Sequence, residues 1–385
     1  MATRKVEITL ICGEYSGEVH AAHLISRLSA LLNFSLQGVG GPLLKKEKME
    51  LIHDYREISV TGLTEVFKKL VSLERVYSAI KDHIKRTKPS LVVLVDFPGF
   101  NLRIAKIAKK EGIPVVYYIP PQLWAWGKWR IKNIKRYVDL VICFFPFEKV
   151  FYDFHGVRCT FVGHPYVLTV KPVYERGDFL KEFSIPDTYP IISIFPGSRE
   201  NEVKRHMPYL RDSIEIIERM FENPFFVIAK ASQINVEDIE GYISFRRNLR
   251  IVPNFSHDVL YHSDCAILSS GSVTLEAALL GVPSVVLYRL STISYILGRL
   301  LVDVPYVSLP NIVLRKEVFP EFIQHVDPEK IALQVNDMLK KEKKEEMLSL
   351  RKDLTDLLRG PGRDPYENAA REIFDFLVER YGPLP

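Results

Sequence analysis

Leu91-Val92-Val93-Leu94-Val95-Asp96-Phe97-Pro98-Gly99-Phe100-Asn101 reads as a buried strand ending at a carboxylate, then a turn carrying proline and glycine, then the start of a helix. Apolar residues without alternation fit a strand covered on both faces, as in a parallel sheet. The same grammar repeats outward from this stretch. In the first half, β-branched runs fall at Val6–Cys12, Ser35–Val39, Val115–Ile119, Leu140–Phe144 and Cys159–Val162. Amphipathic or lysine-rich segments such as His20–Leu32, Thr64–Arg86 and Leu102–Lys110 separate them. In the second half the runs are Ile191–Phe195, Phe225–Ala229, Leu249–Val252, Ala266–Leu268 and Ser284–Leu287, followed by helical patterns over Pro328–Lys344, Glu345–Arg359 and Tyr366–Tyr381. Such alternation is the pattern of βαβ units. The proline-bearing, charged stretch Lys171–Gly177 divides the halves. The expected fold is α/β, with two Rossmann-like doubly wound domains facing a central cleft. The expected bounds are 1–168 and 169–362, with a last segment, 363–385, holding a helix.

The 385 residues are too many for one ordinary domain, and the 47% hydrophobic content supplies large cores. A net charge of +5 suits an anionic partner without selecting one. Cys12, Cys143, Cys159 and Cys265 form no CxxC pair. Three lie in apolar runs, which suggests buried thiols and a reducing compartment. The first apolar run leads into Gly13-Glu14-Tyr15-Ser16-Gly17-Glu18 rather than to a cleavage site, and no apolar run reaches membrane-spanning length. A cytoplasmic protein is expected.

In doubly wound sheets, ligands bind beyond the carboxyl ends of the strands, so four post-strand loops are the candidate chemistry. Gly13–Glu18 lacks the GxGxxG fingerprint, yet its glycines allow close backbone approach at a helix N-terminus; a tight turn with a serine cap is the plainer alternative. His20 and His23 sit one helical turn apart without a third metal ligand nearby. Asp96 is placed either as a general base or as a turn or cap residue. Pro196-Gly197-Ser198-Arg199 offers backbone amides and a guanidinium suited to a diphosphate, with Glu202 one turn into the helix. Ser269-Ser270-Gly271-Ser272-Val273-Thr274-Leu275-Glu276 offers hydroxyls and amides for phosphate, and Glu276 either accepts from ribose or closes a capping box.

These loops, in this order, together with Tyr117–Trp126, Phe145-Pro146-Phe147-Glu148, Phe161–Pro165 and Tyr306-Val307-Ser308-Leu309-Pro310-Asn311, resemble the lipid A disaccharide synthases. The resemblance runs from near residue 7 to about residue 325. It implies a GT-B-like inverting transferase without metal or cofactor. This would join UDP-2,3-diacylglucosamine to 2,3-diacylglucosamine 1-phosphate through a β-1,6 bond and release UDP. It implies Asp96 and Arg199 as the catalytic pair, converging on one sugar carbon. The UDP-sugar would be met by Gly197, Ser198, Arg199, Glu202, Ser270, Gly271, Ser272, Thr274, Glu276 and Asn311. Glu14, Ser16, Gly17, Asn101, Trp124 and Trp126 would line the acceptor and lipid side, and the last helix would return to the first domain. Glu18 and Gly99 depart from the family's pattern, which carries an aspartate and commonly an acidic residue there.

Acylated substrates require a membrane surface without a span. Gly62–Val76 interleaves Val66, Phe67, Leu70 and Val71 with Lys68, Lys69 and Arg75, which fits an interfacial helix or a core-facing one. Trp124, Trp126 and Trp129 stand beside Lys128 and Arg130, a pattern suited to lipid headgroups; nucleic acid is not expected, since no RNA-binding motif accompanies it. Ile293–Val302 is a third lipid contact or a homodimer surface. The rival readings are another transferase using UDP-N-acetylglucosamine, a UDP-sugar epimerase, or a non-catalytic nucleotide- or membrane-binding module.

Overall fold

The computed structural model describes residues 6–57, 66–243, 246–291, 295, 304–362 and 364–384. The chain forms two compact units. One comprises the residues through Pro165 together with those from Leu358 on, and the other is Tyr166–Leu357.

The first unit is built on seven strands: β1 (Val6–Cys12), β2 (Phe34–Gly40), β3 (Glu50–Asp54), β4 (Leu91–Val95), β5 (Val115–Tyr118), β6 (Leu140–Cys143) and β7 (Cys159–Phe161). They pair in parallel in the order β3-β2-β1-β4-β5-β6-β7. The second unit holds β8 (Ile191–Phe195), β9 (Phe225–Lys230), β10 (Leu249–Pro253), β11 (Cys265–Ser269), β12 (Ser284–Tyr288) and β13 (Glu321–Ile323). Their order is β10-β9-β8-β11-β12-β13, again parallel. Both are doubly wound sheets. Each changes winding direction at one point, between β1 and β4 in the first and between β8 and β11 in the second. That change opens a crevice at the carboxyl ends of the strands.

Central strands are buried throughout because helices cover both faces; β4 and β8 have no exposed residue. In the first core, Ile80 and Ile84 of the helix Val66–Thr87 and Ile104 and Ala108 of Pro98–Lys110 pack on Val92, Leu94 and Tyr117. Full burial of each large aliphatic chain contributes about 1.5–3 kcal/mol. In the second, Met207, Leu210 and Ile214 of Glu200–Met220 pack on Ile192, Ile194 and Ile228.

The helix Pro365–Tyr381 belongs to the first unit. Ala369, Ala370, Ile373 and Leu377 form its buried stripe. Across its contact with the helix Tyr15–Leu28, His20 Nδ1 lies 2.9 Å from the Tyr366 hydroxyl, His23 stacks on the same ring, and Arg27 donates to Asp364 at 2.9 Å. His20 and His23 are thus aromatic packing partners of Tyr366, and no metal-holding cluster of His, Cys, Asp or Glu occurs among the described residues. Burial, with His23 adding to it, drives His20 down to about 4, which keeps its ring neutral in this contact.

Among the described residues, no helix is long and apolar enough to cross a membrane. The side chains of Val66, Phe67 and Leu70, and nearly all of Ile293–Val302, lie outside the described residues. Val71 is 62% exposed, whereas Leu73 and Val76, farther along the same helix, pack on the core.

Candidate active site

The four loops singled out from the sequence are the loops that flank the two winding reversals. In the first unit, Cys12 of β1 and Val95 of β4 are register partners, so Gly13–Glu18 and Asp96–Asn101 leave the sheet side by side. In the second, Phe195 of β8 pairs with Leu268 of β11, which brings Pro196–Arg199 beside Ser270–Ser272.

In the first loop pair, Gly17 is buried against Cys12, Val95 and the Asp96 side chain, and a Cβ there would lie 3.1 Å from Cys12 Sγ. This close approach brings Glu14 onto Asp96. Burial raises the Asp96 pKa to about 7, and the hydrogen bond and negative charge of Glu14 push in the same direction. Glu14 and Ser16 are exposed, so the carboxyl pair sits at a solvent-facing mouth. Asp96 is not the N-cap of Pro98–Lys110, which is Phe97 without a side-chain cap bond; the Asp96 carboxyl accepts from the Phe97 amide, which opposes the rise. The serine-cap alternative for Gly13–Glu18 is likewise absent, since Glu14 occupies that N-cap position without a side-chain bond.

Asp96 and Phe97 adopt φ of 46° and 47°. Two successive non-glycine residues in the left-handed region cost roughly 1–2 kcal/mol each, and such strain collects at functional sites. Asn101 and Tyr117 hold it. Asn101 Nδ2 donates to Asp96 O at 2.7 Å and Val95 O at 3.1 Å, and the Tyr117 hydroxyl donates to Asp96 O at 2.6 Å. Asn101 is fully buried, so it supports Asp96 from beneath instead of lining the acceptor surface. Its Oδ1 is buried without a hydrogen-bond partner. Glu18 is also buried; its Oε1 accepts from the amides of Leu43 and Leu44 and so anchors the chain after β2.

The tryptophans are divided. Trp124 donates Nε1 to the buried Glu148 at 3.3 Å and packs edge-on against Phe147. Burial raises Glu148 to about 7, opposed by that bond and by amide bonds from Phe145 and Phe144. Trp126 and Trp129 are exposed, with the Arg130 guanidinium 4.7 and 5.8 Å from their ring centroids.

In the second unit, Gly197 has φ of 131°, and a Cβ there would lie 2.8 Å from Glu202 Cβ; only glycine fits without displacement. Glu202 folds back on the loop. It accepts from the Ser198 amide at 3.2 Å and from Arg199 Nη1 at 3.2 Å, while Gln233 donates to Ser198 O at 2.7 Å. The Arg199 side chain is 78% exposed at the N-terminus of Glu200–Met220. An exposed guanidinium at a helix N-terminus is an anion-binding arrangement.

The neighbouring loop has exposed Gly271 and Ser272 and a half-buried Ser270, whose hydroxyl donates to Val307 O. Thr274 is fully buried: it donates to Gly271 O at 2.8 Å and accepts from the Leu309 amide at 3.2 Å. Asn311 is fully buried too, giving Nδ2 to Phe319 O and Glu321 Oε1 and accepting from the amides of Val318 and Phe319. Both residues shape the loops while their polar atoms face protein. Glu276 lies 3.5 Å from His257 Nε2. Its hydrogen bond, against burial and aided by its charge, raises His257 above the ordinary histidine value. Tyr166 joins this group: burial pushes its hydroxyl up to about 12, with Glu276 contributing and a Ser272 bond opposing. His257, Tyr166 and Gln233 were not legible as site residues, because each reaches its loop from another element of the chain.

Two doubly wound parallel-sheet units, each with a polar crevice at its winding reversal, define an α/β protein of the GT-B class, to which both glycosyltransferases and sugar-nucleotide epimerases belong. In fold, the chain is similar to a putative UDP-N-acetylglucosamine 2-epimerase from Listeria monocytogenes, with a TM-score of 0.62 and 15% identity over 98% of this chain and 97% of that one. It is likewise similar to the calicheamicin glycosyltransferase CalG4, with a TM-score of 0.59 and 15% identity over 99% and 100%. At such identities the likeness concerns fold alone. Sequence carries the assignment further. Residues 8–374 match the model of the lipid-A-disaccharide synthetase family. The lipid-A-disaccharide synthase of Nitrosococcus oceani is 37% identical over 344 residues, 88% of this chain and 89% of that one. The chain belongs to the lipid-A-disaccharide synthetase family and is a glycosyltransferase.

Proposed function

We propose that this chain transfers 2,3-diacylglucosamine from its UDP derivative to the 6-hydroxyl of 2,3-diacylglucosamine 1-phosphate, forming the β-1,6 disaccharide 1-phosphate and UDP. The acceptor oxygen attacks the anomeric carbon as the bond to the diphosphate breaks. The electron pair of that bond leaves with UDP, and the hydroxyl proton passes to Asp96. The observation that carries this reading is the Asp96 carboxyl itself. It is held in a strained backbone at the winding reversal and raised to about 7, which suits a base working near neutral pH.

The exposed Arg199 guanidinium and the Gly197 amide, with the Ser198 amide exchanged from Glu202, would hold the donor diphosphate and stabilise the charge that develops on it. Gly271, Ser272 and Glu276 would meet the uridine ribose and phosphate, while Thr274 and Asn311 keep that loop in shape. Glu14 and Ser16 would face the acceptor. The exposed Trp126 and Trp129 with Arg130, and Val71, support peripheral contact with an anionic lipid surface at the cytoplasmic face of the inner membrane.

Mass spectrometry of the full chain incubated with both acylated substrates and excess chelator tests the reading. Disaccharide and UDP are expected, with little turnover when unacylated UDP-N-acetylglucosamine replaces the donor. Epimerised sugar nucleotide, or equal use of the unacylated donor, would favour the rival activities.

A further inference from the structure

We propose that His206 is a positioning residue for the donor-phosphate loop: by bridging the Pro196 carbonyl and the Arg289 amide in a single tautomer, it locks the loop after β8 to the chain leaving β12. The inference rests on the reading of Pro196–Arg199 as the loop that holds the diphosphate.

His206 lies on the helix Glu200–Met220 and is fully buried. Its Nδ1 is 2.7 Å from Pro196 O, which can only accept, so Nδ1 carries the proton. Its Nε2 is 3.0 Å from the Arg289 nitrogen, whose N–H can only donate, so Nε2 presents its lone pair. One neutral tautomer satisfies both partners. The two partners belong to different strand ends, and the order β8-β11-β12 places a whole strand between them. The ring therefore spans the Ser270 loop's own strand and sets the spacing of the loops on either side of it.

Arg289 is fastened a second time, with its guanidinium 4.7 Å above the Tyr209 ring of the same helix, so its backbone is poorly free to follow if the bridge is cut. Glu202 and Gln233 hold the tip of the phosphate loop at Ser198, whereas His206 holds its root at Pro196. A shift at the root swings the Gly197 and Ser198 amides together.

The charged and titratable groups around the ring are Glu202 and Arg205 on its own helix, Tyr288 and Arg289 at the end of β12, and Arg199 beyond Tyr288. Burial is the largest influence and lowers His206 from 6.5; the Pro196 bond and Glu202 oppose it, and Arg205 adds to it. Protonation would set an Nε2–H against the Arg289 N–H, donor against donor, and open the bridge.

Calorimetric titration of UDP into the full chain tests this, using wild type, His206→Leu and His206→Gln at about pH 8, where the ring is neutral. Leucine removes both bonds; glutamine can donate and accept but cannot titrate. Two lost bonds predict roughly tenfold weaker UDP binding by His206→Leu, with His206→Gln recovering part of that loss. Equal binding by wild type and His206→Leu at high pH overturns the inference. So does a His206→Gln variant that binds no better than His206→Leu, which is what a role in core packing alone would produce. If His206→Leu fails to fold, as judged by its melting curve, His206→Phe, which also lacks both bonds, takes its place in both comparisons. A wild type that binds no UDP overturns the reading of the loop, and the inference falls with it.

Discussion

Replacing Asp96 by asparagine should stabilise the protein while disabling it, and the stabilisation should depend on pH. The folded-state pKa of Asp96 is raised from 3.8 to about 7 by burial and by Glu14. A raised carboxyl favours folding fully below its unfolded value and loses that favour as pH rises through the folded value. At about 1.36 kcal/mol per unit, the full rise corresponds to roughly 4 kcal/mol lost above neutrality. Solvent reaches the mouth of the site, so a penalty of about 1–3 kcal/mol in the ionised wild type is the sound expectation. Asparagine keeps the shape, cannot ionise and tolerates the left-handed backbone. Calorimetric melting near pH 8 should therefore show the first unit of Asp96→Asn several degrees more stable than wild type, at roughly 2–4 °C per kcal/mol. Near pH 4 the difference should nearly vanish. Disaccharide synthesis should fall by about 10²–10⁴-fold. A gain that is the same at both pH values would assign it to backbone preference alone and refute the buried-charge argument. Full activity in the variant would refute Asp96 as the base.

Glu14→Gln removes the charge that helps raise Asp96, so the acid limb of kcat/KM should move to lower pH; an unmoved limb would show that burial acts alone. Gly197→Ala places a Cβ 2.8 Å from Glu202 Cβ in a backbone that disfavours side chains. It should cost about 1–3 kcal/mol in thermal unfolding and raise KM for the UDP donor more than it lowers kcat. His257→Asn removes the partner of Glu276. Since the His257 pKa is raised in the fold, its contribution is present below the ordinary value and fades as pH rises through the folded value, so melting curves should differ more near pH 6 than near pH 9. Asn101→Leu removes one of the two donors to the Asp96 carbonyl, leaving Tyr117, and should lower kcat with little change in UDP affinity, as measured by steady-state kinetics alongside calorimetry.

The buried strands were legible because burial on both faces demands an uninterrupted apolar run, and β1, β4 and β8 lie where such runs fall. Two edge strands, β3 and β13, were not. Glu50-Leu51-Ile52-His53-Asp54 and Glu321-Phe322-Ile323 are short, half-exposed and mixed in polarity, since an edge pairs on one side and needs no continuous apolar face. The cost of missing β13 is instructive. Its Glu321 accepts from the amides of Val307 and Ser308 and from Asn311, and so holds the Val-Ser-Leu-Pro-Asn segment in place.

Sequence alone determined that parallel sheets would form and that the loops worth attention would follow their strands, because periodicity and loop chemistry are local. It also singled out Asp96 and Arg199 as residues with chemistry to offer. Tertiary structure decided which polar groups face outward and which face inward. Asn101, Thr274 and Asn311 look like ligand-binding residues in a string of letters, yet each spends its hydrogen bonds on neighbouring backbone. Asp96 acquires its raised pKa from burial and from a glutamate 82 positions away, and His206 bridges Pro196 and Arg289 across an intervening strand. Burial and long-range hydrogen bonds depend on chain topology, which no local window of sequence contains.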